Sequence, residues 1–99
     1  MQNISSSYNV FATRRQAKSA LAMARISQIM ANDERFGGVI TDEEWNSADL
    51  LKYVIARERG DISLSIYYTV YHFLAFHTRG QRDLFLKENE DLVRDYLCL

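Results

Sequence analysis

Arginines lie in the first turn of both helices that the sequence predicts. The first helix begins with Arg14 and Arg15, and the second begins with Arg79 and Arg82. An exposed cation at such a position opposes the helix dipole and costs about 0.3–1 kcal/mol. Because free backbone N–H groups at a helix start also attract anions, this placement favours an anion-binding role. The alternative is solubility together with surface ion pairs to the acidic segment 32–49 or to the second helix, which require no function.

Positive charge is concentrated at the start of the chain. Residues 1–31 hold four of the 12 Lys and Arg residues and no acid, whereas 32–99 hold all 13 Asp and Glu residues. The candidate residues for binding an anion or a partner are Arg14, Arg15, Lys18, Arg25 and Arg79. A net charge of −1 is unlike the strongly basic domains that bind nucleic acid. A protein partner is therefore the first expectation, and nucleic acid bound by the basic face of the first helix is the alternative.

The residues that most often catalyse reactions or bind metals are few. His72 and His77 are five residues apart, and no Cys, Asp or Glu joins them at a metal-ligand spacing. Cys98 lacks a neighbouring basic residue that would activate its thiol. We therefore expect no catalytic residue, no metal and no cofactor, and thus no enzyme. An enzyme with His77 in a cleft is the third hypothesis.

Three tyrosines, Tyr67, Tyr68 and Tyr71, lie close together in the sequence. Tyrosine is favoured at protein interfaces, because its ring can be buried while its hydroxyl stays hydrated. We expect these residues to form an interface, such as a homodimer through the face or the edge of a sheet. The alternative is that Tyr67 and Tyr71 simply cover the outer face of that sheet.

Two long helices are predicted, each starting at a threonine cap. The first runs from Thr13 to Ala31, and the second opens at Thr78. The segments 11–16 (FATRRQ) and 76–81 (FHTRGQ) repeat an aromatic residue, a capping threonine and a glutamine three residues later, which is the capping-box pattern. The apolar stripes consist of Ala20, Met23, Ala24, Ile26 and Met30 in the first helix and Phe85, Leu86, Asn89, Leu92, Val93, Tyr96 and Leu97 in the second.

The strands are predicted between and before these helices. Residues 52–58 and 62–68 read as a hairpin around a turn at Arg59, Gly60 and Asp61, with the alternating Ile62, Leu64 and Ile66 on a buried face. The apolar run 70–76 is expected to be a more central strand, joined to the hairpin by a bend or a bulge, or as one long kinked strand. Residues 8–11 are a candidate fourth strand.

These elements predict one α+β domain over residues 1–99, with 1–7 as a disordered tail. Its two layers are a three- to four-stranded, mainly antiparallel sheet and two long helices on one face, in the order β-α-β-β-β-α. An apolar content of 47% suffices for a core, and a single cysteine excludes a disulfide scaffold. Without a secretory signal or a membrane-length apolar run, the expected location is the cytoplasm, with no membrane partner.

Five segments also carry a resemblance: 42–45 (DEEW), 53–55 (YVI), 74–78 (LAFHT), 82–86 (RDLFL) and 89–92 (NEDL). Over about residues 10–97 the chain resembles a group of short uncharacterised proteins from gut bacteria and their phages or mobile elements. The resemblance implies an accessory gene product and carries no activity. Together with the residue patterns, it leads us to expect a non-enzymatic protein-interaction module, as a monomer or a homodimer.

Overall fold

The computed structural model describes residues 14–99. Its elements are helix α1 (Arg14–Asn32), a 3-10 turn (Glu34–Phe36), the short helix α2 (Asp42–Trp45), strands β1 (Lys52–Glu58), β2 (Asp61–Tyr67) and β3 (Ala75–Phe76), and helix α3 (Arg79–Tyr96). Two long helices and a three-stranded antiparallel sheet confirm the predicted α+β class. The predicted tail at 1–7, the strand at 8–11 and the Thr13 cap lie outside the described residues.

Capping boxes start α2 and α3. The N–H of Gln81 donates to Thr78 Oγ1 at 3.1 Å, and the Gln81 side chain accepts from the Thr78 N–H at 3.2 Å. Thr41 and Glu44 make the same reciprocal pair at α2. Because each pair satisfies two otherwise unpaired N–H groups, it defines where its helix begins. The predicted start of the second long helix is confirmed.

Gly37 lets the chain after α1 come close to the start of α3. Its φ of 77° is in the left-handed region, and a Cβ at this position would lie 2.5 Å from Gln81 Nε2. Both facts require glycine, which has no Cβ and tolerates positive φ. The cap of α3 and the end of the α1 connection are thereby packed together.

The hairpin prediction is confirmed with a tighter turn. β1 and β2 pair from Lys52 with Tyr67 to Glu58 with Asp61, around a two-residue turn at Arg59 and Gly60. Both turn residues have positive φ, 54° and 79°, as a type I′ turn requires. This turn matches the natural twist of the strands, so no third residue is needed.

The prediction of a central strand at 70–76 is wrong. The strand order is β2-β1-β3, so β1 is central, and β3 comprises only Ala75 and Phe76 at an edge. Residues 68–74 instead form a loop, which we call the aromatic loop. The rings of Tyr71 and Phe73 pack on Trp45 and Tyr96, outside the sheet, and the His72 ring stacks on Tyr67 at the end of β2.

The main core lies between the sheet and the helices. Its buried side chains come from α1, the 3-10 turn, β1, the aromatic loop, β3 and α3: Ile26, Met30, Phe36, Ile55, Leu74, Phe76, Phe85 and Val93. The Phe85 ring contacts Phe36 edge-on at 5.0 Å and Phe76 at 5.2 Å between centroids. A second cluster of Trp45, Val54 and Ala75 covers the opposite face of the sheet.

Two apolar patterns are less buried than the sequence suggests. In α1 the buried line is Ala22, Ile26 and Met30, whereas the predicted stripe members Ala20, Met23 and Ala24 are exposed. The physical reason is that α1 packs mainly on α3, so only a narrow stripe is covered. In β2, Leu64 and Ile66 are also exposed, because α3 packs mainly on β1 and β3. The stripe of α3 is buried or half-buried as predicted.

None of the helices within residues 14–99 combines the length and the apolarity needed to cross a membrane.

Truncation of the central ring tests this core. Phe85→Ala should lower the free energy of unfolding by about 3–5 kcal/mol, because a fully buried phenyl group is lost and a cavity remains. Urea denaturation followed by circular dichroism measures the change. The matched control is Leu21→Ala, whose side chain is exposed, and it should change the value by no more than about 0.5 kcal/mol. Equal effects of the two substitutions would contradict the described core.

Candidate functional site

The three predicted interface tyrosines lie together at the end of β2 and in the aromatic loop. Tyr67 is half-buried, while Tyr68 and Tyr71 are 56% and 66% exposed. The Tyr71 ring packs against Trp45 with 5.2 Å between the ring centroids. Val70, between them, is exposed as well. Tyr67 and Tyr71 thus both pack at the cluster around Trp45, while Tyr68 and Val70 are exposed on the segment between them; we call these residues the aromatic surface.

A buried lysine anchors this surface. Lys52 is fully buried, and its Nζ donates to the carbonyl oxygen of Ser47 at 2.7 Å and to that of Tyr68. The same Nζ lies 5.6 Å from the centroid of the Trp45 ring, within cation–π range. A single side chain therefore ties the start of the aromatic loop and the α2–β1 connection to the central strand.

Ring contacts hold the rest of the loop. His72 stacks on Tyr67, with 4.3 Å between centroids and 30° between the ring planes. Phe73 packs on Tyr96 of α3 at 5.0 Å. The backbone N–H of Ile55 donates to Leu74 O at 2.9 Å, where the loop joins β3. The aromatic loop is thus fixed along its length.

A pocket of about 260 Å³ lies beside the loop. Most of its wall is apolar, formed by Met30, Val39, Trp45, Tyr71, Phe73 and Ala75. Asp42, in the acidic first turn of α2, and His72 supply its charged or titratable groups. An apolar pocket with a few polar groups at its wall is the usual form of a recognition site.

The basic start of α1 is compensated by α3. Ser19 Oγ donates to the Tyr96 carbonyl at 2.6 Å, so the two helices are antiparallel at this end. The N-terminal turns of α1 therefore lie beside the C-terminal carbonyl groups of α3, which form the negative end of its dipole. Arg15 and Lys18 also line one small depression with Asp95. This arrangement gives Arg15 and Lys18 a favourable electrostatic environment that needs no bound anion.

The five candidate cations do not form one site. Arg79 lies at the opposite end of α3, roughly 25 Å away along a helix of 18 residues. Its guanidinium group is 5.9 Å from the centroid of the Tyr53 ring. Arg82, predicted beside it among the first-turn cations, is buried instead and donates to Asp83 and to the Ser65 carbonyl. Its position three residues before Phe85 places it on the buried stripe.

Arg25 borders a wide groove of about 900 Å³ between the end of α1 and α3. Two of the other charged residues there are paired, since Arg35 binds Glu88 at 2.9 and 3.0 Å and Asp33 at 2.8 Å. The hydrogen bond from Arg35 holds the pKa of Asp33 below its ordinary value. Because Glu34 also lines the groove, Arg25 lies among charges of both signs.

His77 has a carboxylate partner. Its Nε2 lies 3.1 Å from both carboxylate oxygens of Glu44. Hydrogen bonding to the Thr41 backbone, and then to His77, lowers the pKa of Glu44. Glu44 also closes the cap of α2, so the pair joins α2 to the chain just before α3. Residues 14–99 contain no group of three or more His, Cys, Asp or Glu side chains arranged to hold a metal.

Sequence reasoning missed three residues of this surface: Lys52, His72 as a stacking partner, and the pocket wall residue Val39. Lys52 had a usable signal, because it alternates with Val54 and Ala56 and so shares their face of the sheet. A lysine on that face must be hydrogen-bonded if it is buried. The other two depend on contacts between segments distant in sequence.

Removal of the Lys52 amine should loosen the loop. Lys52→Met keeps much of the side-chain volume but leaves the carbonyls of Ser47 and Tyr68 without this donor. We expect a loss of about 1–3 kcal/mol in the free energy of unfolding, measured by urea denaturation. Lys87→Met on the exposed face of α3 is the control and should be nearly neutral. A neutral Lys52→Met would show that these hydrogen bonds do not stabilise the fold.

His72 should make stability depend on pH. Burial lowers the pKa of His72 below its ordinary value of 6.5. The unfolded chain therefore binds a proton at a higher pH than the folded chain, so stability is full above about pH 6.5 and falls as the pH drops toward the lowered value. His72→Phe keeps a ring on Tyr67 and removes the titration. Thermal unfolding between pH 7.5 and 5.5, as approximate limits around that pKa, should show a smaller loss for the variant than for the parent protein; equal losses would contradict this account.

The chain was compared with protein-family models, with curated proteins and with solved structures, and none of the three comparisons returned a match. The chemistry of the described surfaces is therefore the basis for a functional proposal.

Proposed function

We propose that this protein is a non-enzymatic protein-interaction module whose aromatic loop binds a segment of another protein. The observation that carries the proposal is the exposure of Tyr68, Val70 and Tyr71, at 56%, 58% and 66%, on a loop that is fixed by its other contacts. The Tyr71 ring already packs on Trp45, so it loses little entropy on binding. Tyrosine in particular is enriched where proteins meet.

The chemistry of the partner follows from the pocket beside the loop. Its apolar wall suits a branched or aromatic side chain, and Asp42 lies at the same pocket. Glu43 is exposed next to it in the first turn of α2. A complementary segment therefore carries an apolar side chain adjacent to Lys or Arg.

The alternatives have less support. Binding of nucleic acid by Arg14, Arg15, Lys18 and Arg25 lacks a distinguishing observation, because Arg15 and Lys18 lie beside the negative end of α3. Acid–base chemistry at His77 and Glu44 competes with the capping role of that carboxylate. The proposal of an interaction module also accords with the accessory role that the sequence resemblance implies.

Selection from a library of random peptides tests the proposal. The full-length chain is immobilised, and the enriched peptides should share an apolar residue next to Lys or Arg. Tyr71→Ala should weaken a selected peptide at least about tenfold, the scale of truncating an interface tyrosine. Fluorescence anisotropy of the labelled peptide measures the dissociation constants.

Leu21→Ala is the matched control, since it removes another exposed apolar side chain, from α1, and should leave the affinity unchanged. Thermal unfolding of each variant shows that the fold is retained. Peptides that bind Tyr71→Ala as tightly as the parent protein, or a failure to enrich any sequence, would overturn the assignment of this loop.

A further inference from the structure

Strand β2 has an open edge. In the described part of the chain its only strand partner is β1, so the other edge of its seven residues is unpaired. Natural proteins usually protect such edges with Lys, Pro, a bulge or a covering element. Residues 62–66 contain no charge and no proline. Within residues 14–99, no strand pairs with this edge of β2.

The hydrogen-bonding groups of this edge can be identified. In a two-residue hairpin the flanking pair, Glu58 and Asp61, is hydrogen-bonded, and bonded pairs then alternate along an antiparallel ladder. Ile62, Leu64 and Ile66 therefore direct their N–H and C=O groups outward. Consistent with this, the Ile62 N–H donates to its neighbour's carboxylate, Asp61 Oδ1, at 2.8 Å. Leu64 and Ile66 retain both groups for an incoming strand.

The side chains at the same edge are apolar and uncovered. Leu64 is 47% exposed and Ile66 is 41% exposed, on the face of the sheet that elsewhere carries the helices. Leu64 pairs with the buried Ile55, so the exposed stripe is continuous with the main core. An added strand would extend both the hydrogen-bonded ladder and that apolar face.

The sequence of this edge is palindromic. Residues 62–66 read Ile-Ser-Leu-Ser-Ile in both directions. Antiparallel pairing of two β2 strands about a twofold axis at Leu64 places Leu64 opposite Leu64 and Ile62 opposite Ile66 on one face, with Ser63 opposite Ser65 on the other. In this register Asp61 meets Tyr67, so like charges do not oppose each other.

We propose that a second copy of this chain binds along β2, so that two three-stranded sheets join into one six-stranded antiparallel sheet. The interface is isologous, as twofold symmetry requires, because each strand presents the same groups to its partner. This inference goes beyond the proposed function, since it concerns a different surface and does not depend on the pocket beside the aromatic loop.

The oligomeric state of the full-length chain tests the proposal. Sedimentation equilibrium should show a reversible dimer for the parent protein. Leu64→Lys should produce a monomer, because a charge on the twofold axis meets its own copy. Leu21→Lys makes the same change at another exposed leucine, on α1, and Tyr71→Ala changes the aromatic loop. Both variants should remain dimeric.

Cysteine cross-linking tests the register independently. In a Cys98→Ser background, Leu64→Cys should form a disulfide-linked dimer, because directly opposed Cα atoms lie about 5.5 Å apart. Ile66→Cys alone should not, since its own copy is four residues away, roughly 14 Å along the strand. Combining Ile62→Cys with Ile66→Cys should restore the cross-link.

Three results would overturn the proposal. The first is a monomer at every concentration up to about 1 mM, the range of the weakest specific associations, as expected if residues 1–13 or another protein occupy the edge. The second is a dimer that Leu64→Lys leaves intact. The third is cross-linking by Ile66→Cys alone as efficient as that by Leu64→Cys. Loss of peptide binding in Tyr71→Ala without a change in dimerisation separates this proposal from the function of the aromatic loop.

Discussion

The Phe85 ring, enclosed by Phe36 and Phe76, is the contact on which the arrangement of the molecule depends. These three residues belong to α3, to the turn after α1 and to the edge strand β3, so one ring cluster joins both helices to the sheet. The cluster also explains why Gly37 must be small, since the turn that carries Phe36 lies against the cap of α3. Dispersion and burial at this point hold together elements that are distant in sequence.

The position of α3 over β1 and β3 determines which surfaces stay exposed. β2 lies beyond the helix layer, and its apolar residues are left at the surface on one side. On the opposite face the second cluster is completed by Trp45 and by the aromatic loop, which Lys52 holds in place. Both candidate surfaces therefore result from a small helix layer that cannot cover a whole sheet, as expected in a domain of this size.

Much of the fold could be predicted from residues that are close together in the sequence. The Thr78 cap, the hairpin and the C-terminal end of α1 agree with prediction to within about a residue, because caps and turns involve side chains and N–H groups a few residues apart. The prediction of a strand at 70–76 was wrong because it depends on residues far apart in the sequence. The composition of this segment suits a strand, but the rings of Tyr71 and Phe73 pack on Trp45 and Tyr96, and no sequence periodicity indicates those contacts.

The sequence by itself determined the two helices, the hairpin, the self-complementary pattern of residues 62–66 and the closeness of the three tyrosines. Only the tertiary structure decided that Arg15 and Lys18 lie beside the negative end of α3, that Arg82 and Lys52 are buried, and that Leu64 and Ile66 are not. The physical reason is the distance along the sequence between the residues that interact. Backbone hydrogen bonds select local structure from neighbouring residues, whereas the burial of a side chain depends on which distant segment packs over it.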